Sequence, residues 1–314
     1  MKKSLTACAL TLILIGCGGQ SAPLSSTPAA PRSNAPGPPP SENLLYVIVA
    51  GFSEVNFYAY LPAKLKLAGK LQGLTQPNGL CVDKTGNVFI TEDGLILKYA
   101  HGGTKPIDTL KISGESAGAC SVDPATGDLA VVGYDKSGTG SILIFQNGQG
   151  TPTQYMDPRL QYPDALGYDD ASNLYVDGVF YRYRSYSCCF YPNFRYLPAK
   201  RHTFKTLSLN VGIVSPSSVQ WDGKDLAIED AYSGEIHEYS INASQATEVG
   251  HTKLKGIPPS LYQVESVWIA GSDVVGTAPS YAEVGIWRYP KGGKPLHRLT
   301  GLYNPSAVAV SPKS

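Results

Sequence analysis

The composition of this 314-residue sequence is poor in charge and in helix-compatible stretches. Charged residues make up only 16% of the chain, while glycine and proline number 33 and 24. Glycine and proline interrupt helices, so coiled coils and helical bundles are excluded. The 26 basic residues barely exceed the 25 acidic ones, which argues against electrostatic binding of nucleic acid. The five histidines are scattered without the spacing of metal ligands.

What the chain does contain points to β structure. Apolar residues account for 42% of the sequence, enough to form a core, and 20 residues are tyrosine. Tyrosine and valine fit pleated strands, whereas glycine fits the tight turns between them. The composition therefore predicts an all-β protein.

The first residues form a targeting signal. Two lysines precede an apolar run, residues 5–15, that is too short to span a bilayer as a stable helix. The run ends in Leu14-Ile15-Gly16-Cys17, which resembles the lipobox of bacterial lipoproteins. The resemblance implies that residues 1–16 are a signal peptide and that Cys17 becomes the lipidated N-terminus. The alternative is an ordinary secretory signal cleaved nearby.

A tether follows the lipobox. Residues 17–42 are dominated by Pro, Ser, Ala and Gly, with one leucine as the only sizeable apolar side chain after Cys17. Such a segment buries too little surface to offset its ordering entropy. Gly18 stands where aspartate, in the lipoproteins this sequence resembles, would signal inner-membrane retention. The resemblance therefore implies a lipid-anchored protein of the bacterial cell envelope, on the outer membrane or the cell surface rather than the inner membrane.

The rest of the chain, residues 43–314, is a repeat. Six segments combine a short apolar strand with a turn rich in Asp, Gly and Asn, and five of them continue into a second apolar strand. They begin at intervals of 40, 46, 53, 48 and 41 residues. This period predicts a six-bladed β-propeller. We expect N-terminal strands and the C-terminal strand 306–310 to close one blade together, which removes open sheet edges. The segments start at Pro77, Ala117, Pro163, Pro216, Val264 and Pro305.

The first repeat, PNGLCVDKTGNVFI from Pro77 to Ile90, resembles the NHL-type repeat of six-bladed propellers. The resemblance extends over nearly all of residues 43–312. Its relatives include binding scaffolds, lactonases and lyases, so it implies a fold without assigning an activity.

Polar residues are expected around the mouth of the propeller channel. Each repeat places one residue where the chain enters the inner strand, and the loops between second and third strands meet the same face. Acidic residues recur in those loops, so we expect an acidic mouth. The inner-strand starts are Asn78, Gly118, Asp164, Ser217, Glu265 and Ser306; the loop acids are Glu54, Glu92, Asp93, Asp135, Asp177, Glu229 and Asp230.

Three of these side chains, Asn78, Asp164 and Glu265, are candidate ligands for a divalent cation such as calcium, which prefers several oxygen ligands. Gluconolactonase-like propellers hold a divalent metal with similar residue types, but their early Glu-Gly-Pro motif is absent here. The alternative is that these side chains cap strands and turns through hydrogen bonds to the backbone. The regular turn acids on the opposite face are expected to be structural; they are Asp83, Asp123, Asp169 and Asp222.

An insertion interrupts the third repeat between Phe180 and Phe194. It is expected to be a loop on the mouth face, and its composition is typical of recognition surfaces. The alternative is a plug that folds over the channel and buries its rings. The candidate ligand-binding residues are Tyr181, Arg182, Tyr183, Arg184, Tyr186, Phe190 and Tyr191.

The cysteines leave two pairings open. Cys188 and Cys189 are adjacent and form a candidate disulfide in an oxidising compartment. Cys81 and Cys120 lie on inner strands of neighbouring repeats, where we favour buried thiols over a disulfide. The Gly-x-Ser-x-Gly pattern at 114–118 leads into a strand, so it does not form the strand-to-helix elbow of serine hydrolases.

The sequence favours a non-enzymatic module that binds a protein, peptide or carbohydrate at the mouth and reaches the membrane through its lipid. The first alternative is a metal-dependent hydrolase or lactonase of the gluconolactonase-like type. The second is a structural scaffold without a ligand.

Overall fold

A computed structural model describes residues 42–61, 64–184, 187–257 and 264–313, without the side chains of residues 61, 64, 181–184 and 187–190. Within these ranges the regular structure is strands plus three single 3₁₀ turns, at Ala50–Phe52, Gln146–Gly148 and Pro279–Tyr281. No helix in the described part of the chain could cross a membrane. The predicted signal peptide, Cys17 and nearly all of the tether lie outside the described residues.

The described domain consists of strands of 2 to 17 residues, and many of the turns between them contain a residue with positive φ. In chain order they are β1 Leu44–Val49, β2 Glu54–Leu61, β3 Lys64–Leu71, β4 Gly79–Val82, β5 Val88–Tyr99, β6 Pro106–Val122, β7 Leu129–Asp135, β8 Gly140–Phe145, β9 Thr153–Tyr155, β10 Tyr162–Tyr168, β11 Leu174–Arg184, β12 Ser187–Leu197, β13 Lys205–Thr206, β14 Ser208–Leu209, β15 Pro216–Trp221, β16 Leu226–Asp230, β17 Glu235–Asn242, β18 Gln245–Lys253, β19 Ser266–Ala270, β20 Asp273–Ala278, β21 Glu283–Arg288, β22 His297–Thr300 and β23 Pro305–Ser311.

The strands form a β-propeller, as predicted, but hydrogen bonding divides it into five sheets rather than six separate blades. The sheet orders are β23-β1-β2-β3, β4 through β9 in sequence, β10-β11-β12-β13, β14-β18-β17-β16-β15 and β19-β20-β21-β22. The six-stranded sheet contains both the repeat from Pro77 and the repeat from Ala117. The prediction of six blades was therefore wrong.

The long strands β5 and β6 are the reason for this merger. Strand β6 has 17 residues and pairs with β5 through its first part and with β7 through its second. Strand β5 turns back on itself at Gly94, whose φ is 73°. The Lys98 ammonium lies 5.0 Å from the centroid of the Phe89 ring, whereas a straight strand would separate these residues by about 30 Å. The repeats from Pro77 and Ala117 thus share one continuous sheet, because strand β6 crosses the boundary between them and pairs with a strand of each.

The two ends of the domain close one sheet, as the sequence predicted. Strand β1 lies between β2 and β23, and the register pairs Leu45 with Val310 and Val47 with Val308. The closing strand is also secured at its end. Ser311 Oγ donates to the Gly86 carbonyl at 2.6 Å, and its oxygen lies 2.6 Å from His101 Nδ1. The first and last strands of the domain are thereby paired in one sheet.

Strand β1, LLYVIV, is apolar at every position because it is buried on both faces. Leu44, Tyr46 and Ile48 pack in a cluster with residues of β4 and β5. Leu45, Val47 and Val49 pack in another cluster with residues of β20 and β21. Successive side chains of a strand point to opposite faces, so the core consists of layers between neighbouring sheets.

The regular turn acids are structural, as predicted. Each accepts backbone N–H groups from the turn that follows it. Asp83 Oδ1 accepts from the amides of Thr85 and Asn87 at 2.9 Å each. Asp169 Oδ1 does the same for Ala171 and Asn173, at 2.9 and 2.8 Å. Asp123 and Asp222 cap their own turns in the same way.

Cys81 and Cys120 form a disulfide, so the preference for free thiols was wrong. Their Cα atoms are 5.6 Å apart, within the range that a disulfide spans. Cys81 lies on β4 and Cys120 on β6, and tertiary packing brings these two strands side by side. The side chains of Cys188 and Cys189 lie outside the described residues, so their pairing stays a prediction.

Candidate functional site: the channel mouth

In each sheet, the start of the inner strand lies beside the connection between the next two strands, at the same end of the strands. Pro216 pairs with Asp230, and Asp230 pairs in turn with Glu235. The amide of Glu265 likewise donates to the Thr277 carbonyl at 3.0 Å. We call this end of the strands the mouth edge.

A cavity of about 630 Å³ lies among the inner strands. All six inner-strand starts line it, although hydrogen bonding groups their strands into five sheets. The sequence repeat therefore places equivalent positions around one cavity. They are Asn78, Gly118, Asp164, Ser217, Glu265 and Ser306.

Four carboxyl groups are concentrated at the mouth end of this cavity, while Asp170 and Asp222 line it beyond the other ends of β10 and β15. Asp164 and Glu265 line it, whereas Asp177 and Glu229 are fully buried directly behind its wall. The backbone amide of Ala165, a lining residue, donates to Asp177 Oδ1 at 2.7 Å. Ser217 Oγ, also on the wall, donates to Glu229 Oε2 at 2.9 Å. We call these four groups the channel carboxyls.

The channel carboxyls stand in an environment that disfavours negative charge. Loss of hydration raises the pKa of Asp164 and Glu265, even though both keep some contact with the cavity. Burial, reinforced by repulsion from Asp164 and Glu229, raises the pKa of Asp177 well above its ordinary value. Burial raises the pKa of Glu229 to about 8, with Asp230 and Glu265 adding repulsion. Among the described residues, none of the four forms an ion pair with a basic side chain.

Several buried oxygens at the mouth edge have no hydrogen-bond partner among the described residues. They include Asp177 Oδ2, Glu229 Oε1 and Ser306 Oγ. A buried polar atom without a partner costs about 1–3 kcal/mol, and native structures contain few of them, so each needs an explanation. Ser306 lines the cavity, and Asp177 and Glu229 lie directly behind residues that do, so the cavity is a candidate binding surface.

The predicted metal ligands Asn78, Asp164 and Glu265 all line the same cavity. Asn78 Nδ2 donates to the Ala117 carbonyl at 3.0 Å, which joins two neighbouring inner strands. In the described ranges, no three His, Cys, Asp or Glu side chains come close enough together to hold a metal ion. A divalent cation bound by Asn78, Asp164 and Glu265 remains a prediction.

Other predicted loop acids have structural partners. Glu54 accepts from the Lys70 ammonium at 2.7 Å, which holds its pKa below the ordinary value. Asp230 Oδ1 accepts the backbone amides of Ser215 and Tyr232, each at 3.1 Å. Asp135 caps its own turn through the amides of residues 137 and 139, and Glu92 accepts from the amide of residue 75. These loop acids therefore have hydrogen-bond partners of their own, although burial also raises the pKa of Glu92.

The insertion is a β-hairpin extension, not the loop that the sequence predicted. Strands β11 and β12 continue their antiparallel pairing beyond Asp177 and Phe194 as far as Arg184 and Ser187. Alternating aromatic residues favour this continuation because they fit a pleated strand. Tyr191 is exposed at the mouth edge. Tyr186 and the side chains of Tyr181, Arg182, Tyr183, Arg184 and Phe190 lie outside the described residues.

Sequence reasoning named Tyr191 but missed six other exposed apolar side chains around the mouth edge. Phe52 and Tyr303 are 64% and 63% exposed, and their rings lie 5.7 Å apart between centroids. These six occupy turns or strand ends, where an apolar residue contributes little to a core, and that position was the available signal. We call all seven side chains the mouth rim: Phe52, Met156, Tyr162, Tyr191, Val214, Tyr232 and Tyr303.

The Gly-x-Ser-x-Gly segment has no role in this site as a nucleophile elbow. Residues 114–118 lie inside β6, and Ser116 pairs in register with Asp93 and Tyr134. The absence of a helix after the serine agrees with the sequence analysis.

These features define a β-propeller protein whose channel contains a cavity lined by both polar and apolar residues. No family model matches the sequence, and no curated protein matches it. A chain from the nidogen/laminin complex is similar in structure, with a TM-score of 0.65 and 14% identity; the match covers 87% of this chain and 99% of that one.

Two further solved structures are similar. One is a protein of unknown function from Bacteroides caccae, with a TM-score of 0.59, 12% identity, and coverage of 86% of this chain and 99% of that one. The other is the β-propeller domain of Myceliophthora thermophila Cps50 (Swd1), with a TM-score of 0.51, 11% identity, and coverage of 81% and 82%. At these identities the likeness shows the fold alone.

Proposed function

We propose that this protein is a non-enzymatic binding module that engages a partner at its channel mouth. The observation that carries this function is the coincidence of the mouth rim with the cavity that contains the channel carboxyls. Exposed aromatic side chains around a polar cavity are typical of recognition surfaces. The metal-dependent lactonase is not favoured by any contact in the described part of the chain.

The mouth rim is more than scattered surface hydrophobicity. Seven of the exposed large apolar side chains lie at the mouth edge, while the others, such as Leu67 and Val249, lie near outer strands. Single exposed apolar residues need no explanation, but their concentration at one edge does. The nidogen/laminin chain is a propeller-like neighbour solved in a complex, which is compatible with a binding role.

We further propose that the six repeats are of NHL type and that each contributes an inner strand to one channel. The six inner-strand starts that line one cavity support this arrangement. The merged sheet of β4 to β9 then contains two of these repeats, which share the continuous strand β6.

The binding function is tested by site-specific photo-crosslinking in the cells that produce the protein. A photoreactive phenylalanine analogue is placed at Phe52 or Tyr232 in the mouth rim, and at Leu67 or Val249 as matched exposed controls. We expect a discrete crosslinked product from the rim positions and none from the controls, because contact is confined to the mouth. Equal crosslinking from all four positions would exclude the mouth as the binding surface.

The N-terminal sequence supports a lipid-anchored location in the bacterial envelope. We propose that Cys17 is acylated and that residues 18–42 separate the propeller from the membrane. Stable anchoring requires more than one acyl chain, since a single myristoyl chain binds only reversibly.

Substitution of Cys17 tests this location. We expect Cys17→Ser to move the protein from the membrane fraction to the soluble fraction, because the serine cannot accept the thioether-linked lipid. The measurement is immunoblotting of both fractions with labelling by an alkyne fatty acid, and Cys8→Ser is the control. Unchanged membrane association of Cys17→Ser would contradict the proposal.

A further inference from the structure

We infer that the channel mouth accepts a lysine or arginine side chain from a protein partner, with the mouth rim contacting the apolar residues around that side chain. This inference rests on the proposed binding function and names the chemistry of its ligand. It depends on three features of the described residues: the channel carboxyls, the unpartnered oxygens and the mouth rim.

The channel carboxyls provide the charge complementarity. Asp164 and Glu265 lie on the cavity wall on separate sheets, and Asp177 and Glu229 lie behind it. Ion pairs neutralise other buried acids of this protein, such as Glu283, which accepts from Arg298 at 3.2 Å. The channel carboxyls have no such partner within the described ranges. A cation entering from solvent would supply it.

The unpartnered oxygens provide a second, independent observation. Asp177 and Glu229 are fully buried, and each uses one carboxyl oxygen for a wall residue while the other has no partner. Ser306 Oγ on the opposite wall is also without a partner. All three atoms can accept a hydrogen bond. An ammonium has three donors and a guanidinium has five, and neither has an acceptor, so a basic side chain complements this set.

The chemistry of these groups favours an organic cation over a metal ion. Calcium needs six to eight oxygens at about 2.3–2.6 Å, and no three His, Cys, Asp or Glu side chains in the described ranges come close enough together to hold a metal ion. A guanidinium or ammonium needs fewer acceptors and binds them through hydrogen bonds of about 2.7–3.2 Å. Its long apolar stem also fits a cavity whose lining includes Leu80, Val219 and Trp268.

The mouth rim favours a macromolecular source for the cation. A free amine would contact only the cavity, which leaves Phe52, Tyr232 and Tyr303 exposed to water. A polypeptide that inserts one basic side chain covers this apolar surface at the same time. Central charged anchors surrounded by aromatic contacts are typical of such interfaces.

Binding of a cation is coupled to proton release. Burial raises the pKa of Glu229 to about 8, so most of this carboxyl is protonated at neutral pH and must lose its proton before it can pair with a cation. Asp164, Asp177 and Glu265 have raised pKa values as well, and Asp230 and Tyr134 are the other titratable groups that interact with them. A cation favours the ionised carboxyls. Affinity is therefore expected to rise between pH 6 and pH 8.5 and protons to leave on binding.

A phage-displayed library of random dodecapeptides provides the probe. The full chain is immobilised through a C-terminal tag at pH 8.5, and phage that also bind the Asp164→Asn/Glu265→Gln variant are discarded. We expect the surviving peptides to share a lysine or arginine flanked by apolar residues. In synthetic peptides, replacing that residue by norleucine is expected to weaken binding about 10- to 100-fold, since charge-assisted hydrogen bonds are lost.

The outcomes separate the alternatives. The inference is overturned if the selected peptides share no basic residue, or if norleucine replacement leaves their affinity unchanged. In that case the binding function still stands, provided that the mouth-rim positions crosslink to a partner. If spermidine or calcium binds the protein alone and also competes with the peptide, the ligand of the channel mouth is a small cation, and the inference of a protein partner is wrong. Failure of both the library and the crosslinking would reject the binding function itself. Circular dichroism of the Asp164→Asn/Glu265→Gln variant verifies that it is folded.

Discussion

Glu229→Gln is expected to raise the free energy of unfolding at alkaline pH. Glu229 is fully buried, and its pKa is raised from an ordinary value of 4.5 to about 8. The folded state therefore binds a proton that the unfolded chain releases, so stability falls as the pH rises from about 4.5 to 8. A gap of this size corresponds to about 5 kcal/mol, at 1.36 kcal/mol per pKa unit. Glutamine keeps the shape of the side chain without its charge, which removes this loss.

The measurement is urea unfolding of both proteins at several pH values from 4 to 9. We expect nearly equal stability at pH 4 and the largest advantage of Glu229→Gln at pH 8.5 to 9. Glu54→Gln is the matched control, because Glu54 also lies at the mouth edge but is paired with Lys70 and has a lowered pKa. That variant should lose stability above pH 5. If Glu229→Gln is the less stable protein at pH 9, burial of an uncompensated carboxyl is the wrong description.

Reduction of the Cys81–Cys120 disulfide is the second large effect that we expect. The two cysteines are separated by 39 residues in sequence. In the chain-entropy model, closing a loop of that length in the unfolded state stabilises the folded protein by about 4 kcal/mol. Urea unfolding with and without a phosphine reductant should therefore differ by that amount in the native chain.

Two cysteine variants identify the bond responsible. Cys81→Ala/Cys120→Ala should be insensitive to reductant, whereas Cys188→Ala/Cys189→Ala should respond as the native chain does. Mass spectrometry of unreduced peptides should recover residues 81 and 120 in one linked product. If reductant sensitivity persists in the first variant and disappears in the second, the stabilising bond involves the adjacent cysteines instead.

The sequence repeat predicted part of the site because the same local structure recurs in each repeat of a propeller. The Asx caps of Asp83 and Asp169 depend only on the next four residues, so they were predictable. The inner-strand starts were also predictable, since equivalent repeat positions meet at one channel. The hairpin extension was not, because the repeat has no counterpart for it and strand pairing there depends on its own residues.

The charge state of the mouth could not be obtained from residue types. Glu54 and Glu229 occupy comparable loops in the sequence, yet one is paired with Lys70 and the other is buried behind Ser217. The difference depends on which strand neighbours each carboxyl, and that is a property of long-range packing. The same reason explains the disulfide: 23 residues separate the end of β4 from the start of β6 along the chain, but the two strands lie side by side.

Local chemistry in the sequence was sufficient for the all-β class, the propeller, its closure by both termini and the structural turn acids. Each of these follows from short-range patterns of apolar residues, glycine and aspartate, or from their repetition. Tertiary structure decided the merged sheet, the Cys81–Cys120 bond, the mouth rim and the pairing of each acid. Those features depend on contacts between residues far apart in sequence, where hydration and neighbouring charge, rather than residue type, set the energy of a side chain.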